Sequence, residues 1–364
     1  MKIKSFYAKN FRNIEECNIE FSPGVNLLFG NNAEGKTNIL EGIYVFSRGK
    51  SFRAREDSDM VRFSGEGFNI GIKYDTLLGS ESLEYSLFGK ERQRKKNGYK
   101  INKITDFIGS LKAVLFYPDN MNLVKGGPEE RRSFLNIAIS QYNNLYIKYY
   151  QSYKKALENR NGILKFLQKG FAVDREELFA WSRTLSEYAS FIYLIREEYI
   201  EKLKIYSKKF SLDISSGKEE ISLFYECDIE NGLKDKNLIR ENYERVFSEN
   251  IEREILAGTT LFGPHRDDLK ININGIDSRL FASQGQQRSI VLALKLSEGE
   301  IIKEVFGEYP VFLLDDVLSE LDSERRKYLL DKKGDKQIII TSCQSEELLE
   351  FADKTIEVSS GRYL

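Results

Sequence analysis

Cysteine, proline, histidine and tryptophan are all scarce in this sequence, and each scarcity removes a class of protein. The three cysteines, Cys17, Cys227 and Cys343, have no paired spacing, which excludes a disulfide framework. With His265 as the single histidine, a His/Cys metal centre is excluded as well. Five prolines and 12% aromatic residues are the wrong composition for a disordered chain. No apolar run approaches the roughly 18–20 residues of a membrane-spanning helix. The start Met1-Lys2-Ile3-Lys4-Ser5-Phe6 lacks the apolar core of a secretory signal. A surplus of either charge is missing too: 55 Lys+Arg face 56 Asp+Glu, a net −1 that gives no global pointer to nucleic acid. What remains is a soluble, cytoplasmic globular protein, and 364 residues at roughly 150 per domain predict two or more units.

What is present is organised in three stretches. The first thirty residues alternate as strands do, through Ile3, Phe6, Phe11, Ile19 and Phe21 to a Pro23-Gly24 turn. The apolar run Val25-Asn26-Leu27-Leu28-Phe29 reads as a buried strand, and Ile39, Leu40, Ile43 and Tyr44 as the helix that follows. Residues 61–116 form a β-rich lobe, with strands expected at 68–74, 83–88 and 111–116. Near 126 the texture changes. Gly126-Gly127-Pro128-Glu129-Glu130 is a helix start, with proline and acids in the first turn. Tyr142, Tyr146, Tyr149, Tyr153 and Leu157 then recur at helical spacing. After Gly170, Leu178, Trp181, Leu185, Tyr188, Ile192, Ile195 and Tyr199 form a heptad seam. Two long helices with a short break predict an antiparallel arm. The tyrosines could stack nucleic-acid bases, although the core of a helix pair explains them more simply. From about 255 strands return: Val311–Leu314 and Gln337–Ile340 flank a helix-like 322–330, which implies a parallel sheet.

The strongest local signal is Gly30-Asn31-Asn32-Ala33-Glu34-Gly35-Lys36-Thr37, a full match to the phosphate-binding P-loop, here placed between an apolar strand and a helix. Glycines let backbone N–H groups face phosphate oxygens, and the helix start adds its positive end. Lys36 is expected to reach the β- and γ-phosphates, and the Thr37 hydroxyl to ligate Mg²⁺. Asn38 continues the loop into the helix. Asp315, at the end of the 311–314 strand, is the expected second metal ligand, and Asp316 the acid that orients attacking water.

Two further segments narrow the class. Ser283-Gln284-Gly285-Gln286-Gln287-Arg288 resembles the ABC-type signature, and Ser319-Glu320-Leu321-Asp322 resembles the D-loop. The interval from Lys36 to Ser283 is longer than in transporter ATPase subunits and far shorter than in SMC-type proteins. Asn10-Phe11-Arg12-Asn13, Lys125–Leu135 (KGGPEERRSFL) and Gly263–Leu269 (GPHRDDL) look like segments of the RecF family of ABC/SMC-like ATPases, and the resemblance spans essentially the whole chain. It implies an α/β fold: an ABC-type P-loop ATPase head with a β-rich lobe, formed by 1–125 and 256–364 and interrupted by a helical-arm domain at 126–255. It also implies a weak, DNA-stimulated ATPase that acts as a switch in DNA repair, replication and recombination. There an ATP-dependent homodimer would clamp double-stranded and gapped or single-stranded DNA. It would help RecO and RecR load recombinase, with Ser283 completing a partner's site in trans. The chain departs from the wider superfamily in two places. No clear Q-loop glutamine follows the first helix, and Thr341-Ser342 stands where transporter ATPases carry a switch histidine.

Other residues are weighed more simply. Arg12 is a candidate nucleotide contact, with a surface arginine as the plain alternative; Arg53 is a weaker one. His265 reads as a structural turn residue. The run 90–103 holds seven cations and one anion, and a hairpin with Asn97-Gly98 at its tip would project them. Arg92, Arg94, Lys95 and Lys96 are therefore DNA-contact candidates. Two alternatives use the same ATP engine, a transporter coupling subunit and an SMC-like structural protein. The basic hairpin and the short arm weigh against them.

Overall fold

The computed structural model describes all residues except 64, 173, 332–333, 344–345, 360–361 and 364. Contacts group the chain into two units: Met1–Met121 with Tyr206–Glu219 and Ser283–Leu364, and Asn122–Ile205 with Glu220–Ala282.

The first unit holds two six-stranded sheets. One is antiparallel, in the order β2-β1-β4-β5-β6-β7, from β1 (Lys2–Phe11), β2 (Ile14–Glu20), β4 (Gly67–Thr76), β5 (Gly79–Phe88), β6 (Glu91–Lys96) and β7 (Tyr99–Lys100). Past an irregularity between Ile3 and Ser5, Phe6 and Ala8 of β1 are buried while Tyr7 and Lys9 are less so, as expected for a sheet wet on one side. The other has the order β15-β14-β3-β13-β12-β8, from β3 (Val25–Phe29), β8 (Ala113–Phe116), β12 (Val311–Asp315), β13 (Gln337–Ser342), β14 (Lys354–Ser359) and β15 (Arg362–Tyr363). All its pairings are parallel except β14 with β15. Every residue of β12 and β13 is buried, the mark of strands covered on both faces. Helix α1 (Lys36–Arg48) joins the two sheets in one core with Phe6, Phe11, Ile43, Tyr85 and Leu313. Gly42 permits the closest approach, since a Cβ there would stand 2.5 Å from the Phe6 ring.

In the second unit, α2 (Pro128–Tyr142) and α3 (Asn144–Gln168) run antiparallel to residues 175–205 of α4 (Arg175–Ile214). Tyr142 lies against Tyr199, Tyr149 stacks on Phe191 at 3.9 Å, and Arg160 bonds Ser182. The tyrosine stripe is interior, as the simpler reading held: Tyr146 and Tyr153 are fully buried in packing. α5 (Lys236–Glu249) and α6 (Ile251–Ala257) follow. A three-stranded antiparallel sheet, β11-β10-β9, was not anticipated; it comprises β9 (Ile221–Glu226), β10 (Asp268–Ile273) and β11 (Ile276–Asp277). Its pairing of β10 with β9 ties 268–273 to the second unit, so the grouping differs from the expected 256 boundary.

Candidate nucleotide site

Strand order places the site. β13 lies between β3, which feeds the P-loop, and β12, which carries the acids. Asp315 pairs in register with Thr341, and Ser342 with Phe29, so all three strand ends come to one edge. The loop then turns through two positive-φ glycines. Gly30 has φ 150° and Gly35 φ 112°, and a Cβ at Gly30 would lie 2.1 Å from the Val358 carbonyl oxygen. Gly35 caps α1, its carbonyl accepting from the Asn38 N–H at 3.0 Å. Asn31, Asn32 and Ala33 are exposed, and Glu34 is half-buried beside them.

Lys36 is buried and folded over its own loop, donating to the carbonyl oxygens of Gly30 (2.7 Å) and Asn31 (2.6 Å). The Thr37 hydroxyl donates to Asp315 Oδ1 at 2.7 Å. Two residues separated by most of the sequence are thus in direct contact, as a shared cation requires. Asp316 stands exposed beside them, in left-handed backbone at φ 53°. Partial burial and the neighbouring Asp315 carboxylate raise its pKa above the ordinary value, against the pull of Lys36. A raised pKa suits an acid that handles a proton.

Arg12 does not face open loop. Its guanidinium forms a two-pronged bond with Glu41 (3.0 and 2.6 Å) and donates to the Asp59 carbonyl. Arg53 donates to the same carboxylate at 2.6 Å and to Asn38 at 2.5 Å. Asn38 in turn donates to Asn13 at 2.6 Å, and Asn13 to the Ala33 carbonyl at 3.3 Å. Glu41, fully buried on α1, therefore anchors the edge of the P-loop. Burial opposes its charge, but Arg12, Ser51 and Arg53 together hold its pKa below the ordinary value. Nothing in the sequence singled it out, because an acid on a helix reads as surface.

Ser283 caps α7 (Gln284–Phe306) in a reciprocal capping box. Its Oγ accepts from the Gln286 N–H at 3.3 Å, and its own N–H donates to Gln286 Oε1 at 2.9 Å. Ser283 and Gln284 are exposed and Gly285 and Gln286 half-buried, so a helix N-terminus is open at the surface. Asp322 accepts from Arg325, whose guanidinium also donates to Ser289 of α7 at 2.9 Å. Burial works against the Asp322 charge, yet Arg325 keeps its pKa low.

The basic hairpin forms as expected, with Asn97 (φ 51°) and Gly98 (φ 80°) at the turn. Four of its cations have partners within the lobe. Arg92 pairs with Asp57 at 2.6 Å, Lys95 with Glu84 at 3.5 Å and Lys96 with Glu81 at 2.9 Å. Arg94 lies 4.6 Å above the Tyr85 ring.

The segments 125–135 and 263–269 meet inside the second unit. Arg131 grips Asp268 at 2.7 and 2.8 Å, Arg132 donates to the Asp267 carbonyl, and buried Arg196 pairs with Asp267 at 2.9 Å. His265 bonds the Tyr153 hydroxyl at 2.6 Å and faces the Thr260 carbonyl. These residues hold the unit together.

Fold and site define an ABC-type ATPase of the SMC-like kind. The RecF/RecN/SMC N terminal domain model matches residues 2–363. DNA replication and repair protein RecF of Clostridioides difficile (strain 630) is 40% identical over 98% of this chain and 96% of its own. That of Clostridium novyi (strain NT) is 40% identical over 99% of both. The solved recombination mediator protein RecF-ATP of the RecFOR pathway superposes with a TM-score of 0.92 at 35% identity, covering 100% of this chain and 97% of its own. The Smc head domain of Pyrococcus furiosus, at TM-score 0.57 and 18% identity, shares the fold. The chain belongs to the RecF family of DNA replication and repair proteins. Among the described residues no helix is long and apolar enough to cross a membrane, and the transporter-subunit alternative is set aside by the family match.

Proposed function

We propose that this protein is an ATP-driven DNA clamp of recombinational repair. ATP binds over residues 30–38, with Lys36 reaching the terminal phosphates and Arg12 at the loop edge. Thr37 and Asp315 would hold Mg²⁺; their hydroxyl and carboxylate oxygens suit a hard cation, which neutralises phosphate charge when bound. Ser283, Gln284, Gly285 and Gln286 of a second copy, with Asp322 nearby, complete the site in trans. The closed homodimer grips DNA at single-strand gaps and assists RecO and RecR in loading recombinase. Asp316 orients the water whose attack reopens it.

The observation that carries this reading is the 2.7 Å contact between Thr37 and Asp315, which brings a P-loop hydroxyl and the acid strand's carboxylate together, as shared binding of Mg²⁺ would need. The exposed start of α7 supports the trans arrangement, because the positive end of a helix suits a γ-phosphate. DNA binding measured with ATP, with ADP and without nucleotide tests the clamp. Tighter binding in ATP than in the other two states is expected, and equal affinity in all three contradicts it.

A further inference from the structure

The end of β13 is chemically placed between the two halves of the nucleotide site. The Thr341 hydroxyl has one proton to give; Asp315 Oδ1, the same oxygen that accepts from Thr37, is its nearer acceptor at 2.9 Å, with the Leu314 carbonyl at 3.5 Å. The lone pairs of that hydroxyl accept from the Asp316 N–H at 3.0 Å, and the Thr341 carbonyl lies 3.3 Å from the same N–H. Thr341 is buried, and all of this takes place in the central sheet, where Asp315 and Thr341 are register partners.

The consequence is mechanical. Asp316 sits in left-handed backbone at φ 53°, a region that residues with side chains occupy only when their surroundings fix them there. The contacts of its N–H with Thr341 supply that constraint. One hydroxyl therefore fixes the face that Asp315 turns toward Thr37, and also makes the shorter of the two contacts that hold the peptide from which Asp316 projects. Valine has the shape of threonine and neither hydrogen-bonding function, so it would leave the Asp316 N–H with only the longer contact to the residue-341 carbonyl, and a carboxylate oxygen short of one donor.

We infer that Thr341 is a positioning residue for ATP hydrolysis, setting Asp315 and Asp316 relative to each other through a single bridging hydroxyl. This rests on the roles proposed above for those two carboxylates. Thr341 stands where transporter ATPases carry a switch histidine, but here it acts on the acids, not on the phosphate itself. Binding of nucleotide through Lys36 and the loop amides does not depend on it; the geometry of the hydrolytic acid does.

The test compares the full-length protein with Thr341→Val, Thr341→Ser and Asp316→Asn. Each is assayed for ATP turnover on gapped DNA with Mg²⁺, for ATP affinity by equilibrium titration, and for thermal unfolding. Thr341→Val is expected to lower kcat by about 10–100-fold, the scale of a misplaced catalytic group, while ATP affinity changes less than about threefold. Thr341→Ser, which restores the hydroxyl, is expected to return kcat to within about threefold of wild type. Wild-type turnover in Thr341→Val overturns the inference. So does an equal loss in a normally folded Thr341→Ser, since the methyl group and its packing would then be what matters. Should Asp316→Asn turn over like wild type, the underlying assignment of Asp316 fails and the inference with it; Thr341→Val alone turning over normally leaves that assignment standing.

Discussion

Glu41 and His265 are the two residues whose burial has the clearest measurable consequence. Glu41 is inaccessible to solvent and holds both Arg12 and Arg53, so Glu41→Ala leaves two guanidinium groups without their carboxylate. Both guanidiniums keep some access to water, so losing these charged hydrogen bonds costs about 1–3 kcal/mol, and urea unfolding should show a loss of that order. Its pKa is lowered in the fold, so its contribution is present above the ordinary value of 4.5 and disappears as pH falls through the lowered one. His265 acts earlier. Burial pushes its pKa down to about 4 from 6.5, so the fold keeps it neutral while the unfolded chain takes up a proton. Stability is therefore intact above pH 6.5 and declines as pH falls toward about 4. The ceiling on that decline is about 3 kcal/mol by linkage. Urea midpoints from pH 7 to 4 should fall in the wild type and flatten in His265→Gln; parallel curves would contradict this.

Elements carry the next set of consequences. Helix α7 packs on the acid strand at Gly299, where a Cβ would stand 2.3 Å from the Phe312 ring. Gly299→Ala should thus destabilise by about 1–3 kcal/mol through overpacking, despite alanine's better helix propensity; calorimetry showing a rise in Tm would refute the contact. In the hairpin β6–β7, Arg94 stacks on Tyr85, so Arg94→Ala should lower stability more than it alters DNA affinity. We propose exposed Lys90, Lys100 and Lys103 as the phosphate contacts of the hairpin. Each replacement by alanine should reduce the salt dependence of DNA affinity by about one unit of slope. Unchanged slopes in all three would remove the hairpin from the DNA surface. This hairpin was legible because Asn-Gly between strand-like runs has a specific turn geometry. Its internal ion pairs were not, because Asp57, Glu81 and Glu84 come from elsewhere in the lobe.

For the molecule as a whole, legibility followed the same division between local and distant. The P-loop, the acid strand and the helix pair could be read because each is a contiguous pattern with a physical reason for its spacing. The contact of Thr37 with Asp315 was expected from motif order, and the sheet order β3-β13-β12 supplies it. Three things were hidden: the β9–β11 sheet, which pairs β9 with the distant β10; the grip of Arg131 on Asp268; and the burial of Glu41. Each depends on a partner that no local pattern names. The near-zero net charge was equally uninformative about DNA, since what matters is how the cations are distributed and which are already paired. The central claim is that ATP closes two copies through the P-loop of one and Ser283 of the other, and light scattering with and without ATP tests it most directly. The wild type and Asp316→Asn should shift from monomer to dimer mass on adding ATP, the latter remaining there, while Lys36→Met stays monomeric. A mass that ignores ATP, or a Lys36→Met protein that dimerises as the wild type does, would contradict the account.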